Sequence, residues 1–476
     1  MNDFLQIDPG SPVPLHRQVY DGIREAILGG KLQAGERLPP TRVLAEDLTV
    51  SRQTVTDAYE QLQTEGYLEG RRGAGTFVAT TVPDRSAQPA FSPPLSRWAK
   101  RLPTAPAPAP PARYDFQPDR LAADVFPWDA WDAAVRHASA EHERLFAPPD
   151  PGGHRGLRVA VAEHVRRHRA VPADPERVVI VSGTQQGLNL LALLTLEGGD
   201  RAALEDPGYP SARLALEAAG AVISSIPVDA EGIQPGEVDA AGPHRLIYVT
   251  PSHQYPTGAT LPLGRRLELL EVAYRQQAII VEDDYDSEFR YEGRPVEALQ
   301  ALDDAGIVVY AGTFSKSLMP GLRLGFLVLP APLVAPFVAA KAVWDSGTPM
   351  MEQSALAAFM ESGEYERHIR KMRRVYRARH DALLAALQRY LPHVAEAAPS
   401  QGGLSLLVRL NTALDADSIV EHAARAGIAV RAATGLYQRP PDRPALLLGF
   451  GGISLEDIDP GIARLAEIIA ASRRRP

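Results

Sequence analysis

Proline decides how this chain divides. Between Pro83 and Ala112 nine of thirty residues are proline, ending in Pro103-Thr-Ala-Pro-Ala-Pro-Ala-Pro-Pro111. Proline fixes φ and removes a backbone donor, so so rich a segment builds no packed core and favours stiff, extended conformations. It predicts a tether over 81–112 between a small domain, 1–80, and a large one, 113–476. The tether is either a plain connection or a spacer of tuned stiffness. At 476 residues there is chain for two or three domains. Absence of Cys excludes disulfides, thiolate metal sites and thiol nucleophiles. Met1–Gly10 is polar and acidic, unlike a secretory signal, and apolar runs such as Leu188–Leu196 fall short of the roughly 20 residues that span a bilayer. A soluble, cytoplasmic protein without membrane contact is expected.

In the small domain Leu15, Val19, Ile23 and Ile27 recur at helical spacing and Gly29-Gly30 ends that helix. Pro39-Pro40 opens a short helix through Leu48. Ser51 is placed to cap a third, with Val55, Ala58, Tyr59 and Leu62 on one face. Two short strands follow around a glycine-rich tip, Gly66 to Val78. Helix, turn, helix and hairpin describe a winged helix-turn-helix of α+β class, whose second helix enters the major groove by its N-terminal residues. Those are Ser51, Arg52, Gln53 and Thr54: an Arg for guanine, an amide for adenine and hydroxyls for phosphate. Arg71 and Arg72 stand at the tip beside Gly73 and Gly75. Over 1–80 there are 8 basic and 11 acidic residues, net −3. The expectation is that Arg37, Arg42, Arg52, Arg71 and Arg72 gather on one face while the acids spread over the others, because local sign governs phosphate contact. A solvated three-helix bundle is the plain alternative.

Gly35-Glu-Arg-Leu-Pro-Pro-Thr-Arg-Val-Leu-Ala45, Val50-Ser-Arg-Gln-Thr-Val-Thr-Asp-Ala-Tyr59 and Gly73-Ala-Gly-Thr-Phe-Val78 resemble the GntR-type winged-helix pattern over residues 12–79. The resemblance implies a double-stranded DNA operator as partner, contacted by Arg42 and Arg52 with Thr54 in support and Gly75 on the wing.

The large domain alternates short apolar runs, at 178–181, 246–250, 279–281, 307–310 and 326–329, with helical patterns. That alternation predicts a parallel α/β sheet covered on both faces. Its main body is expected over about 150–345, and a smaller α+β subdomain over about 365–476, opening with the Arg-rich helix Glu364–Tyr390.

The chain has 45 Arg and 5 Lys, so Arg fills most positions where any cation serves. Lys316 nonetheless follows an apolar strand in Val308-Val-Tyr-Ala-Gly-Thr-Phe-Ser-Lys316. A primary amine forms a Schiff base with an aldehyde and a guanidinium does not. An ordinary Lys at a strand end is the plain reading; the neighbours argue for pyridoxal 5'-phosphate. Ser182-Gly183-Thr184, between strand and helix, offers a phosphate cradle. Asp283, after the strand Ala278–Val281, can keep a pyridine nitrogen protonated. Tyr209 offers an aromatic face and Arg323 a fixed cation. The carboxylates of Glu282-Asp-Asp-Tyr-Asp286 invite a metal, but neighbours on a short turn point to opposite sides, and no metal is expected.

Together these residues resemble fold-type I aminotransferases over roughly 113–476. The resemblance implies that Lys316 carries the internal aldimine, Asp283 pairs with the ring nitrogen and Tyr285 donates to the ring hydroxyl. Gly183, Thr184, Ser315 and Arg323 would hold the phosphate, with Tyr209 against the ring. Winged helix, proline tether and this domain in one chain resemble the MocR/GabR regulators, and Pro251-Ser-His-Gln-Tyr-Pro-Thr-Gly258 is typical of that group. There are departures. Tyr255 stands where aminotransferases have Asn, Leu447 where they have the Arg that clamps a substrate carboxylate, Pro148 where a partner-reaching Tyr is usual, and Ser211 where a GABA-responsive regulator has Arg. Arg431 is the substitute clamp.

The leading expectation is a transcription factor, a homodimer with its subunits head-to-tail, that senses an amino compound or pyridoxal phosphate itself. The rivals are a working aminotransferase with an incidental DNA module, and a scaffold that binds DNA without cofactor. A residual transaminase half-reaction is compatible with the first.

Overall fold

The computed structural model describes residues 5–81, 93–103, 111–141, 143, 146–293, 296–411 and 415–472. Most of the proline-rich tether, including Pro83, Pro89 and 104–110, lies outside them. Two compact units result, Met1–Ser96 and Arg97–Pro476.

In the small unit α1 (Leu15–Leu28) buries Val19, Tyr20, Ile23, Ala26 and Ile27, the three-to-four spacing of one helix face. Helix α2 (Thr41–Asp47) contributes Leu44 and Ala45. The third helix, α3 (Arg52–Thr64), buries Val55, Ala58, Tyr59 and Leu62, and Ser51 Oγ accepts its Thr54 N–H at 3.1 Å. Strands β1 (Leu68–Arg71) and β2 (Gly75–Val78) form an antiparallel wing with Leu68 opposite Val78 and Arg71 opposite Gly75.

The large unit is built on an eight-stranded sheet. Its spatial order is Val178–Val181, Gly325–Val328, Val308–Thr313, Ile279–Asp284, Leu246–Val249, Arg201–Asp206, Val222–Asp229 and Gly232–Ile233. Alternate side chains face opposite clusters: Val178 and Ile180 one, Val179 and Val181 the other. The sheet is not wholly parallel, which corrects the sequence reading. Gly325–Val328 runs antiparallel to both neighbours, and Gly232–Ile233 is an antiparallel edge. The reason is length. Only residues 314–324 connect Val308–Thr313 to Gly325–Val328, fewer than the dozen or more that a parallel crossover needs.

The smaller subdomain opens with the helix Glu364–Tyr390 and carries a four-stranded antiparallel sheet ordered Ala395–Ala397, Ser405–Leu410, Ala445–Gly449, Arg431–Ala432. It also recruits the start of the unit, because Tyr114–Asp115 pairs in parallel with Ile428–Ala429. A Cβ on Gly449 would lie 2.3 Å from the Gln117 carbonyl, so that strand meets the 113–119 segment as closely as glycine allows. Within the range read as tether, Trp98 Nε1 donates to the Leu214 carbonyl at 3.1 Å, fixing this stretch to the helix Pro210–Ala218. Among the described residues no helix is long and apolar enough to cross a membrane.

Removing the α3 cap should cost the small unit about 1 kcal/mol. In Ser51→Ala, amide exchange over 52–64 should speed up about 5-fold while that over 279–284 stays unchanged.

Candidate cofactor site and DNA-reading face

The parallel strands end on one side of the sheet, where open α/β folds collect their ligands. Gly183 and Thr184 begin the helix Thr184–Thr195, whose first N–H groups lack partners within the helix. Gly183 has φ +81°, and a Cβ there would lie 2.8 Å from Arg323 Nη2. That guanidinium also reaches the Ser182 carbonyl at 3.4 Å, so a cation lies over a helix N-terminus. Ser315 lies half-buried in the preceding turn, its N–H held by Thr313 Oγ1.

Asp283 is the penultimate residue of the strand Ile279–Asp284 and is buried. Tyr248 donates its hydroxyl to Asp283 Oδ2, whereas Oδ1 has no hydrogen-bond partner among the described residues. Burial pushes this carboxyl up to about 7, against the pull of the Tyr248 hydrogen bond. Thr184, Tyr209, Tyr248 and Asp283 line one cleft. Asp284 points the other way, to Arg169 Nε at 2.7 Å, as strand alternation requires.

Lys316 Nζ lies 2.9 Å from Asp119 Oδ1, and Arg431 Nη2 lies 2.6 Å from Asp119 Oδ2. Burial opposes a charge on Asp119, but Lys316 and Arg431 prevail and hold the carboxyl down at about 2. Arg431 is the direct cross-strand neighbour of Leu447. Asp119 was missed from sequence. Its position depends on the pairing of Tyr114–Asp115 with a strand more than 300 residues away, which no local pattern announces.

Tyr209, Tyr255 and Tyr285 stand edge-to-face in series, with ring centroids 6.0 and 5.9 Å apart. The Tyr285 hydroxyl lies 3.0 Å from His253 Nδ1, an atom that also lies 3.0 Å from both Asp286 oxygens. His253 and Asp286 were likewise absent from the sequence-derived set.

In the small unit Arg52 and Gln53 are exposed on the first turn of α3. The Ser51 and Thr54 hydroxyls lie 2.8 Å apart, engaged in the cap. Arg72 is exposed at the wing tip, and Gly75 has φ +113° beneath Arg37, whose Nε would lie 3.1 Å from an added Cβ. The acids do not keep to other faces, which corrects the sequence expectation. Glu46 lies 3.9 Å from Arg42, Asp57 accepts from Gln53 at 2.6 Å, and Glu69 pairs with Arg71 at 2.5 Å. Acidic partners one helical turn or two strand positions away occupy these side chains.

Comparison with known proteins places both units. Residues 15–78 match the bacterial regulatory proteins of the gntR family, and residues 118–446 match aminotransferase class I and II. The chain is 38% identical to the "Probable rhizopine catabolism regulatory protein MocR" of Rhizobium meliloti, over 98% of this chain and 96% of that one. It is 31% identical to the pyridoxine biosynthesis transcriptional regulator PdxR of Corynebacterium glutamicum, over 98% of each. The crystal structure of Pyrococcus horikoshii kynurenine aminotransferase superposes with a TM-score of 0.73 at 26% identity, covering 80% of this chain and 98% of that one. The fold and site thus define a winged-helix regulator joined to an aminotransferase-like domain. The chain belongs to the MocR family of transcriptional regulators. It is a DNA-binding regulator whose large domain binds pyridoxal phosphate and serves as sensor. The residues fit that group on two observations: the orphaned buried oxygen of Asp283 and the cradle at Gly183 that a Cβ would fill.

The raised Asp283 carboxyl gives a signed prediction. The folded form keeps its proton to about 7 while the unfolded chain loses it near 4, so this group's contribution to apoprotein stability falls as pH rises between those values. Glu205, buried and also raised to about 7, adds the same sign. The melting temperature of cofactor-free Asp283→Asn relative to wild type should therefore climb from pH 4 to pH 7 and then level off. A pH-independent difference would contradict the assignment.

Proposed function

We propose that the sensor responds to a small amino compound that carries a carboxylate and competes with Lys316 for the cofactor. One observation carries this reading. Lys316 and Arg431, 115 positions apart in sequence, converge on the two oxygens of one carboxylate, Asp119. An effector carboxylate that displaces Asp119 finds Arg431 waiting beside the amine position.

Bound pyridoxal phosphate supplies an aldehyde carbon that exchanges between primary amines, and an electron-withdrawing ring. In this reading Lys316 is the resident amine. Asp283 accepts the ring N–H through its free oxygen. Gly183, Thr184, Ser315 and Arg323 hold the phosphate, Tyr209 packs on the ring and Tyr285 faces its hydroxyl. Arg42, Ser51, Arg52, Gln53, Thr54, Arg71, Arg72 and Gly75 meet the operator. The protein acts as a cytoplasmic head-to-tail homodimer, two winged helices reading two half-sites.

The cofactor as the signal itself is the second reading, favoured by likeness to a regulator named for pyridoxine biosynthesis. Sensing rather than turnover is supported by the relatives, which are named as regulators. Leu447 is by itself no argument against turnover, because Arg431 is its cross-strand neighbour.

A spectral screen tests the reading. Wild type loaded with pyridoxal phosphate should show a visible absorbance that Lys316→Ala loses. Carboxylated amines should perturb that absorbance, and Arg431→Ala should weaken their effect about 10–100-fold while sparing amines without a carboxylate. An unchanged response in Arg431→Ala removes the clamp from the reading. Sustained turnover of an amino donor with a keto acid would make the protein an enzyme.

A further inference from the structure

His164 and His168 lie one turn apart near the end of the helix Arg155–Arg169. Glu366, in the first turn of the helix Glu364–Tyr390, comes between them. Its Oε1 is 3.0 Å from His164 Nδ1 and 3.1 Å from His168 Nε2, and one ligand atom from each residue lies within 4.8 Å of the others. All three side chains are at least partly sheltered, at 11%, 38% and 26% exposure. They border a small cleft also lined by Glu288, Ile369 and Arg373.

We propose that His164, His168 and Glu366 form a binding site for a divalent transition metal of the zinc class. Two imidazoles and one carboxylate, with the histidines four apart on one helix, are a donor set suited to zinc and poor for magnesium or calcium, which take oxygen ligands. The two imidazole–carboxylate separations already approach the roughly 3.3 Å edge of a tetrahedron with bonds of about 2 Å. Water would take the fourth position. Ligation through His164 Nδ1 would leave its Nε2–H towards Glu288 Oε1, 4.0 Å away, where a small ring rotation brings the carboxylate into the supporting hydrogen bond that metal-bound imidazoles use. The Tyr365 hydroxyl lies 3.5 Å from the same Glu288 oxygen and would hold that carboxylate in place.

The ion would clip the first turn of the long helix that opens the smaller subdomain to a helix packed under the main sheet. His168 adjoins Arg169, the partner of Asp284, so the clip sits directly behind the cofactor-facing strand. Sequence reading weighed a metal only at the 282–286 carboxylates. The pair His164 and His168 carries the helical spacing of a metal site, but its third ligand is about 200 residues away.

The test uses tag-free, full-length protein saturated with pyridoxal phosphate and stripped of metal, titrated with Zn²⁺ against a chromophoric chelator. A single tight equivalent per chain is expected, with a Zn²⁺-dependent rise in melting temperature. His168→Ala and Glu366→Gln should each weaken it at least about 100-fold, and Glu288→Gln about 10-fold, with the cofactor absorbance unchanged. Two results overturn the proposal. One is no tight equivalent in wild type, which makes the cluster a hydrogen-bonded network only. The other is an equivalent that survives in both ligand variants, which makes it an adventitious ion on other histidines.

Discussion

The buried pair of Arg169 and Asp284 holds the centre of the large unit together. Arg169 Nε reaches Asp284 Oδ2 at 2.7 Å, and its other nitrogens bond Ser252 Oγ and the Val296 carbonyl. Asp284 in turn accepts from Ser287 and Tyr310. Burial pulls the Arg169 pKa down, but Asp284 together with Tyr310 and Glu282 outweighs it, and the pKa is raised. Removing one partner of so buried a pair strands a charge, at a cost of about 3–5 kcal/mol. Because Asp284 is fixed behind the sheet, its neighbour Asp283 must face the cofactor side, and the end of the helix Arg155–Arg169 is fixed with it.

In the proposed reading a second carboxylate, Asp119, gives the sensor its means of response. Lys316 lies in the turn that follows the main-sheet strand Val308–Thr313, whereas Asp119 and Arg431 belong to the smaller subdomain through the pairing of Tyr114–Asp115 with Ile428–Ala429. The Asp119 bridge therefore joins the two subdomains. A ligand that takes over either end of it changes what ties them, and such differential contact is what shifts a conformational equilibrium.

Much of this was legible in the sequence, for local reasons. Val55, Ala58, Tyr59 and Leu62 mark one face of a helix, and Ser51 caps it, because spacing and capping act within a few residues. Lys316 stood out because its chemistry is the one Arg cannot supply. The antiparallel course of Gly325–Val328 was hidden, since an apolar strand reads the same in either direction and only the short connection betrays it. Asp119 was hidden for a different reason: a single acid on a turn carries no pattern, and its partners lie 197 and 312 residues away. The acids interleaved with Arg42, Gln53 and Arg71 were in plain view, but a count of charge does not say which side chains meet.

The central claim is that what binds beside Lys316 sets how the winged helices hold DNA. The direct measurement is fluorescence anisotropy on a labelled DNA fragment flanking the gene, at fixed salt. Full-length, pyridoxal phosphate-loaded protein would be titrated with and without the amino compound that most alters the cofactor's absorbance. The account predicts a change in DNA affinity of about 5-fold or more, the lower range of allosteric coupling, which Lys316→Ala loses. A compound that saturates the spectral change while leaving DNA affinity identical would contradict it.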